Sequence, residues 1–175
     1  MYSGLHEIFG KLTAQNALLA TAESLTGGLI AERITEQPGA SRIFWGGWVT
    51  YSEQAKCTAL GVPEHIVQRF GVVSKETAVA MAEHAATFAA VSSGTLCYAV
   101  AVTGIAGPSG GTPETPVGTV YIACAENCPM SQSSSVLCRN YLFNGTRSNI
   151  REQTYEAAMT MLLKQLDKAK NKKIQ

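Results

Sequence analysis

Apolar residues recur along the chain in two patterns, and each pattern predicts a type of secondary structure. Leu5, Ile8, Phe9 and Leu12 follow a helical period and predict an amphipathic helix near the N-terminus. Short, nearly continuous apolar runs predict buried strands, because a strand covered on both faces carries apolar side chains on both. The predicted strands are 17–22, 43–51, 96–103, 117–125 and 135–143.

Helices are predicted between most of these strands. Ser52 and Ser74 are typical helix N-caps, the first for a short helix carrying Lys56 and the second for a long helix ending near Val91. Further helices are predicted at 29–35 and, at the end of the chain, at 147–166. This alternation predicts a single three-layer α/β/α domain with a mostly buried sheet. Strands 117–125 and 135–143 have no helix between them, so we expect that pair to be antiparallel and the sheet to be mixed.

The chain has 175 residues, which suits one domain with its own core. We expect this domain to span residues 1–168 and to be followed by a disordered basic tail at 169–175. The lysines near the end of the chain, from Lys164 onward, can complement the dipole of the last helix. The alternative is an adaptor tail whose partner binding depends on salt. The lysines concerned are Lys164, Lys168, Lys170, Lys172 and Lys173.

Charge and composition narrow the possible partners. A net charge of +1 gives no electrostatic reason to expect binding to nucleic acid or to an anionic membrane. No apolar run approaches the length of a transmembrane helix, and residues 1–12 do not resemble a secretory signal. The 5 cysteines are odd in number and scattered, so we expect reduced thiols and a cytoplasmic protein.

Few residues are available for metal or triad chemistry. Asp167 is the only aspartate, and the three histidines are His6, His65 and His84, none of them placed beside a candidate nucleophile. We therefore expect neither a Ser-His-Asp triad nor a carboxylate-rich magnesium site. We expect neither a metal nor a cofactor.

Ser24 follows a predicted buried strand and precedes a helix opened by Gly27 and Gly28. Such a turn exposes a hydroxyl, and the first free N–H groups of the helix point at the same space. The N–H groups around Thr26, Gly27 and Gly28 are candidates for binding an oxyanion or a phosphate. The alternative is that Ser24 and Thr26 merely cap the helix.

A second glycine-rich segment follows the predicted strand that ends at Thr103. A backbone without side chains can approach a ligand phosphate closely. The segment lacks the Gly-Lys-Ser/Thr of a Walker A loop and the spacing of a dinucleotide fingerprint. A purely structural loop is the alternative. The candidate binding residues here are Thr103, Gly104, Gly107, Gly110 and Gly111.

A serine nucleophile needs a base, and Lys56 is a candidate because a lysine held neutral by burial can accept a serine proton. Tyr51 lies at the end of the aromatic strand and could add its hydroxyl to the same site. The alternative for Lys56 is an ordinary solvated helix lysine. From the residues alone, the hypothesis is a Ser/Lys hydrolase with a phosphate-binding loop.

These motifs together resemble the CinA C-terminal domain family, in the order and spacing of that family over about residues 5–165. The motifs that carry the resemblance are Ala22-Glu23-Ser24-Leu25-Thr26-Gly27-Gly28; Gly39, Ser41, Phe44, Gly47 and Val49-Thr50-Tyr51 with Lys56; Leu60-Gly61-Val62; Gly71-Val72-Val73-Ser74; Thr103-Gly104-Ile105-Ala106-Gly107-Pro108; Pro116-Val117-Gly118-Thr119-Val120; and Phe143, Gly145, Arg147 and Arg151.

The resemblance implies a nicotinamide-nucleotide amidase, which converts nicotinamide mononucleotide to nicotinic acid mononucleotide and ammonia without a metal. It implies Ser24 as nucleophile, with Lys56 and Tyr51 as the catalytic lysine and tyrosine. We further expect Arg147 to contact the substrate phosphate. The chain is expected to be a stand-alone form of the domain, and a homodimer or larger homo-oligomer.

Three positions depart from the family pattern. Thr146 stands where the family usually has aspartate, Thr115 where it usually has lysine, and Leu25 where cysteine is common. Without the aspartate we expect the neighbouring arginines to be less firmly placed and the activity to be weak. The alternative is an inactive relative that acts as a nucleotide-binding or interaction protein.

Overall fold

The computed structural model describes residues 4–130 and 133–172. In that part of the chain the helices are α1 Leu5–Ala14, α2 Leu29–Thr35, α3 Glu53–Thr58, α4 Glu64–Phe70, α5 Lys75–Ser93 and α6 Arg147–Lys172. The strands are β1 Leu18–Glu23, β2 Phe44–Val49, β3 Cys97–Gly104, β4 Thr119–Cys128 and β5 Ser133–Leu142. A single turn of 3₁₀ helix, Ala40–Arg42, leads into β2.

The five strands form one sheet in the order β2-β1-β3-β4-β5. β1 is parallel to β2 on one side and to β3 on the other, whereas β4 runs antiparallel to both of its neighbours, β3 and β5. The predicted mixed sheet and its antiparallel last pair are therefore confirmed. Because parallel strands end at the same edge, the segments after β1, β2 and β3 lie close together there. These segments contain Ser24, Tyr51 and the glycine-rich loop.

Helices cover both faces of the sheet, which confirms the predicted layered α/β domain. On one face α1, α2 and α6 bury large aliphatic residues such as Ile8, Ile34 and Leu162. On the other face α5 packs on a sheet surface made largely of alanine. Small side chains on both elements let the long helix approach the sheet closely, so its burial comes from close packing of small groups. The alanines of the sheet surface are Ala20, Ala22, Ala99, Ala101, Ala123 and Ala125.

The caps that the sequence predicts are present. Ser52 accepts a hydrogen bond from the N–H of Ala55 at the start of α3, and Ser74 accepts one from Thr77 at the start of α5. The last helix extends beyond its predicted end and continues past residue 168 to Lys172. Residues 173–175 of the expected tail lie outside the described residues.

Candidate active site

The side chains of Ser24 and Lys56 meet at the carboxyl edge of the sheet. The Nζ atom of Lys56 donates to the Oγ atom of Ser24 at 2.9 Å and to the backbone carbonyl of Thr50 at 2.8 Å. The serine lies directly after β1, and α3, capped by Ser52, brings the lysine to it. Lys56 is only 2% exposed, so it is not the solvated helix lysine of the alternative interpretation.

Burial determines the protonation of this lysine. Desolvation lowers the pKa of Lys56 from 10.5 to about 8, and the nearby Cys57 and Glu53 oppose that change only in part. A buried ammonium loses the hydration that stabilises its charge, which favours the neutral amine. A neutral amine within hydrogen-bond distance of a serine hydroxyl can accept its proton, as a general base must.

The N-terminus of α2 is occupied by the carboxylate of Glu23. Its two oxygens accept hydrogen bonds from the N–H groups of Gly28, Ile30 and Ala31, at 3.0, 3.1 and 2.9 Å. Neither Ser24 nor Thr26 caps this helix, which corrects the capping alternative. A buried carboxylate here stabilises the positive end of the helix dipole. The N–H groups that it binds at the start of α2 are therefore not available to a ligand.

The expected oxyanion site at Gly27 and Gly28 is therefore corrected. The N–H of Gly27 donates to the carbonyl of Ser24, and that of Gly28 to Glu23. The hydroxyl of Thr26 is buried without a hydrogen-bond partner among the residues that the structure describes. Among those described residues, none accepts a hydrogen bond from the N–H of Leu25. Leu25 directly follows Ser24, the predicted nucleophile.

Tyr51 is exposed, and among the described residues its hydroxyl is hydrogen-bonded to Arg147 rather than to Ser24 or Lys56. Its hydroxyl accepts a hydrogen bond from Nη2 of Arg147, whose Nη1 donates to the carbonyl of Gly107 at 2.9 Å. Arg147 thus joins α6 to the β2–α3 connection and to the glycine-rich loop.

At several positions of the glycine-rich loop, packing within the chain leaves no room for a side chain. A Cβ atom at Gly104 would lie 2.6 Å from the carbonyl oxygen of Thr119, and one at Gly107 would lie 2.6 Å from the side chain of Val117. A Cβ atom at Gly111 would lie 2.6 Å from the backbone nitrogen of Val117. Thr103 donates its hydroxyl hydrogen to the carbonyl of Val72. Close contact with residues 117–119 therefore explains three of these glycines without a ligand.

A cavity of about 660 Å³ opens over the Ser24–Lys56 pair. Its lining includes Thr103, Gly104, Gly107, Gly110 and Arg147 from the predicted binding set, together with Ser24, Lys56 and Tyr51. Thr26, Gly27, Gly28 and Gly111 lie outside that lining. The structure thus brings most of the predicted site residues around one cavity and leaves those four outside its lining.

The whole arrangement lies within a region that one family model describes. Residues 3–166 match the model of the CinA C-terminal domain. The chain belongs to the CinA C-terminal domain family.

Sequence relatives and solved structures agree with this assignment. A CinA-like protein of Akkermansia muciniphila is 46% identical over 152 residues, covering 87% of this chain and 34% of the relative. A CinA-like protein of Geotalea uraniireducens is 47% identical over 148 residues, covering 85% of the chain and 33% of the relative. The chain thus spans about a third of the length of these curated relatives.

Among solved structures, the competence/damage inducible protein CihA of Agrobacterium tumefaciens superposes with a TM-score of 0.81 at 38% identity, covering 93% of each chain. A competence-damaged protein (CinA) superfamily protein of Escherichia coli superposes with a TM-score of 0.80 at 27% identity, covering 93% of this chain and 88% of the other.

A second cavity, of about 600 Å³, lies beside α5 in this CinA domain. It is lined by Glu83, His84 and Phe88 and contains neither Ser24 nor Lys56. Among the described residues no group of three or more histidine, cysteine, aspartate or glutamate side chains has the arrangement of a metal site. Within the same residues no helix is both long and apolar enough to cross a membrane.

Two further motif residues of this CinA domain, Glu23 and Arg151, make contacts that the sequence did not predict. Glu23 holds the start of α2, and Arg151 donates to the carbonyl of Thr26. The position of Glu23, one residue before Ser24 and seven before Ile30, is a signal that sequence reasoning could have used. The contact of Arg151 spans 125 positions, and no local pattern reports it.

Proposed function

We propose that this chain is an amidase that hydrolyses nicotinamide mononucleotide to nicotinic acid mononucleotide and ammonia. The observation that carries the proposal is the 2.9 Å contact between Lys56 Nζ and Ser24 Oγ at the base of a cavity. Burial holds the pKa of Lys56 at about 8, so a useful fraction of the amine is neutral near neutral pH. A serine hydroxyl beside such an amine is the arrangement that covalent acyl transfer requires.

In the proposed reaction, Ser24 Oγ attacks the carboxamide carbon while its proton moves to Lys56. The resulting ammonium then protonates the leaving nitrogen, which departs as ammonia and leaves an acyl ester on Ser24. Water adds to the ester carbon as the neutral amine of Lys56 takes one of its protons, and Lys56 returns that proton to Ser24 Oγ as the ester bond breaks. The released acid loses its remaining proton to the solvent and becomes the carboxylate. The cycle consumes one amide and one water and needs no oxidant, metal or cofactor.

The tetrahedral intermediate needs donors for its oxyanion. Because Glu23 engages the N–H groups of α2, we assign the first donor to Leu25, whose N–H is unengaged within the described residues. Thr50 contributes no donor to the oxyanion. Its carbonyl accepts a hydrogen bond from Lys56 Nζ at 2.8 Å and so orients the amine.

The rest of the cavity suits a nucleotide monophosphate. Arg147 lines the cavity and is exposed, so its guanidinium can bind a phosphate in addition to its two contacts within the protein. Hydroxyl groups of the loop lie on the same lining and can bind a ribose or a phosphate. These belong to Ser109, Thr112 and Thr115.

The test is ammonia release from nicotinamide mononucleotide with a chelator present. We expect release by the wild type and its loss in Ser24→Ala, whereas the matched control Ser41→Ala, at an exposed position before β2, keeps the wild-type rate. Equal rates in the wild type and Ser24→Ala would exclude this nucleophile. Nucleotide binding without ammonia release would instead favour the alternative, a nucleotide-binding protein on the same fold, for which Thr115 and Thr146 are the motivation.

A further inference from the structure

Arg151 connects α6 to the turn that carries the nucleophile. It lies one helical turn after Arg147 and donates from both Nε, at 3.1 Å, and Nη2 to the backbone carbonyl of Thr26. The tip of the side chain lies against Gly27, where a Cβ atom would stand 3.9 Å from Nη2. The guanidinium therefore holds the peptide two residues after Ser24.

This turn has few other restraints. Gly27 and Gly28 have φ values of +59° and +97°, and glycine leaves these positions many alternative conformations. The carbonyl of Thr26 has one other donor, the N–H of Leu29 at 3.3 Å. The hydroxyl of Thr26 adds no restraint, since it has no partner among the described residues. Without Arg151, the turn would depend on the carboxylate of Glu23, on the buried side chain of Leu25 and on two backbone hydrogen bonds. These run from the N–H of Gly27 to the carbonyl of Ser24, at 3.1 Å, and from the N–H of Leu29 to the carbonyl of Thr26.

We infer that Arg151 is a positioning residue that holds the Thr26 carbonyl and thereby fixes the orientation of Ser24 Oγ toward Lys56. This inference rests on the proposed role of Ser24 as nucleophile. Arg151 is absent from the cavity lining and so acts through the turn rather than on the substrate. A displacement of about 1 Å at a reacting group can lower a rate about 100-fold, so the loss of this tie should affect turnover more than binding.

Arg33 offers a matched control. It also joins α2 to α6, through Glu152 at 3.1 Å, and it contacts Glu36 on its own helix. These contacts are exposed and lie away from the nucleophile turn. Arg33→Met therefore removes a different arginine tie to α6 without touching Thr26.

The first measurement compares steady-state kinetics of the wild type, Arg151→Met, Arg151→Lys and Arg33→Met. We expect kcat to fall about 100-fold in Arg151→Met, with KM within about twofold and an unchanged pH profile. Arg151→Lys keeps one donor and the charge and should recover part of that loss. Arg33→Met should stay within about twofold of the wild type. A rise in KM alone, or an equal loss in Arg33→Met, would overturn the positioning role.

The second measurement follows Ser24 without the amide substrate. A fluorophosphonate probe forms a bond from Ser24 Oγ to phosphorus as fluoride leaves and Lys56 takes the hydroxyl proton; intact mass reports the adduct. We expect labelling to be about 100-fold slower in Arg151→Met and unchanged in Arg33→Met. Equal labelling rates in the wild type and Arg151→Met would contradict the inference. Labelling of the wild type without amide hydrolysis would contradict only the proposed substrate.

Backbone hydrogen exchange covers the remaining case, in which the probe fails to label the wild type and the nucleophile assignment is wrong. The peptide spanning residues 24–28 should exchange faster in Arg151→Met than in Arg33→Met. Equal exchange in these two variants overturns the tie itself. Thermal unfolding of each variant identifies any that fail to fold, and Arg151→Lys serves as the milder replacement for Arg151→Met.

Discussion

Arg147 donates a hydrogen bond to the hydroxyl of Tyr51 across the mouth of the cavity. This contact ties Tyr51 to α6. It also holds the guanidinium on the lining of the cavity, where we propose that a substrate phosphate binds.

Replacement of Arg147 should therefore weaken substrate binding more than it slows the chemical step. A hydrogen bond to a charged group contributes about 1.5–3 kcal/mol, so KM in Arg147→Ala should rise about 10- to 150-fold with a smaller change in kcat. Kinetics with nicotinamide mononucleotide and with its dephosphorylated riboside measure this, and discrimination between the two should decrease. Tyr51→Phe is the control, because it removes the acceptor and keeps the guanidinium. Unchanged discrimination in Arg147→Ala would mean that the arginine only joins the two loops.

The buried lysine predicts a pH profile. Because the pKa of Lys56 is lowered to about 8, kcat/KM should rise about tenfold per pH unit below that value and level off above it. Lys56→Arg should be inactive throughout, since a guanidinium keeps its proton. Lys75→Arg, at the exposed start of α5, is the matched control and should keep the wild-type profile. A wild-type profile that is flat from pH 6 to pH 9 would exclude Lys56 as the base.

The same group predicts how stability depends on pH. The unfolded chain keeps the lysine proton up to the ordinary pKa of 10.5, whereas the folded protein releases it near 8. Between these values the unfolded state binds more protons, so the free energy of unfolding should increase with pH in that range. Urea unfolding at pH 8 and at pH 10 measures the increase, and Lys56→Met should remove it. An increase that persists in Lys56→Met would have to come from another group.

Glu23 should stabilise the fold through the start of α2. Glu23→Gln replaces one accepting oxygen by an NH₂ group that faces backbone donors, so the free energy of unfolding should fall by at least about 2 kcal/mol. Denaturant unfolding measures the change. Glu32→Gln, exposed on the same helix, should alter stability by less than about 0.5 kcal/mol. Equal effects at the two positions would show that the carboxylate of Glu23 is not required.

Thr146 already caps α6, and this changes what its replacement should do. Its hydroxyl accepts from the N–H of Asn149, whose side chain accepts in return from the N–H of Thr146. Arg147 and Arg151 are held by Tyr51, Gly107 and Thr26, so their placement does not depend on an aspartate at 146. Thr146→Asp should therefore leave kcat/KM within about twofold and stabilise the protein by about 0.3–1 kcal/mol through the helix dipole.

Thr146→Ala is the control and should lose about 1 kcal/mol of stability with the cap. A large gain of amidase activity in Thr146→Asp would contradict this account. It would support instead the first expectation, that the threonine leaves the arginines loosely placed.

Much of the secondary structure followed from local chemistry. The caps at Ser52 and Ser74 depend on neighbours three residues away, and 29–35 was predicted with its observed bounds. Strand ends were less well predicted: β2 stops at Val49, two residues before its predicted end at Tyr51. Strand ends depend on pairing with β1, which local patterns do not report.

The residue types by themselves indicated the class of chemistry that we propose. One aspartate and three histidines leave little for a triad or a metal site, and glycines after two apolar runs indicate exposed turns. The tertiary structure decided what each group contacts. It buries Lys56 against Ser24, engages the α2 donors with Glu23, and brings Arg151 to a carbonyl 125 positions away. Such contacts arise when α6 and the parallel strand ends pack together, and the free energy of that packing depends on the whole core rather than on any local segment.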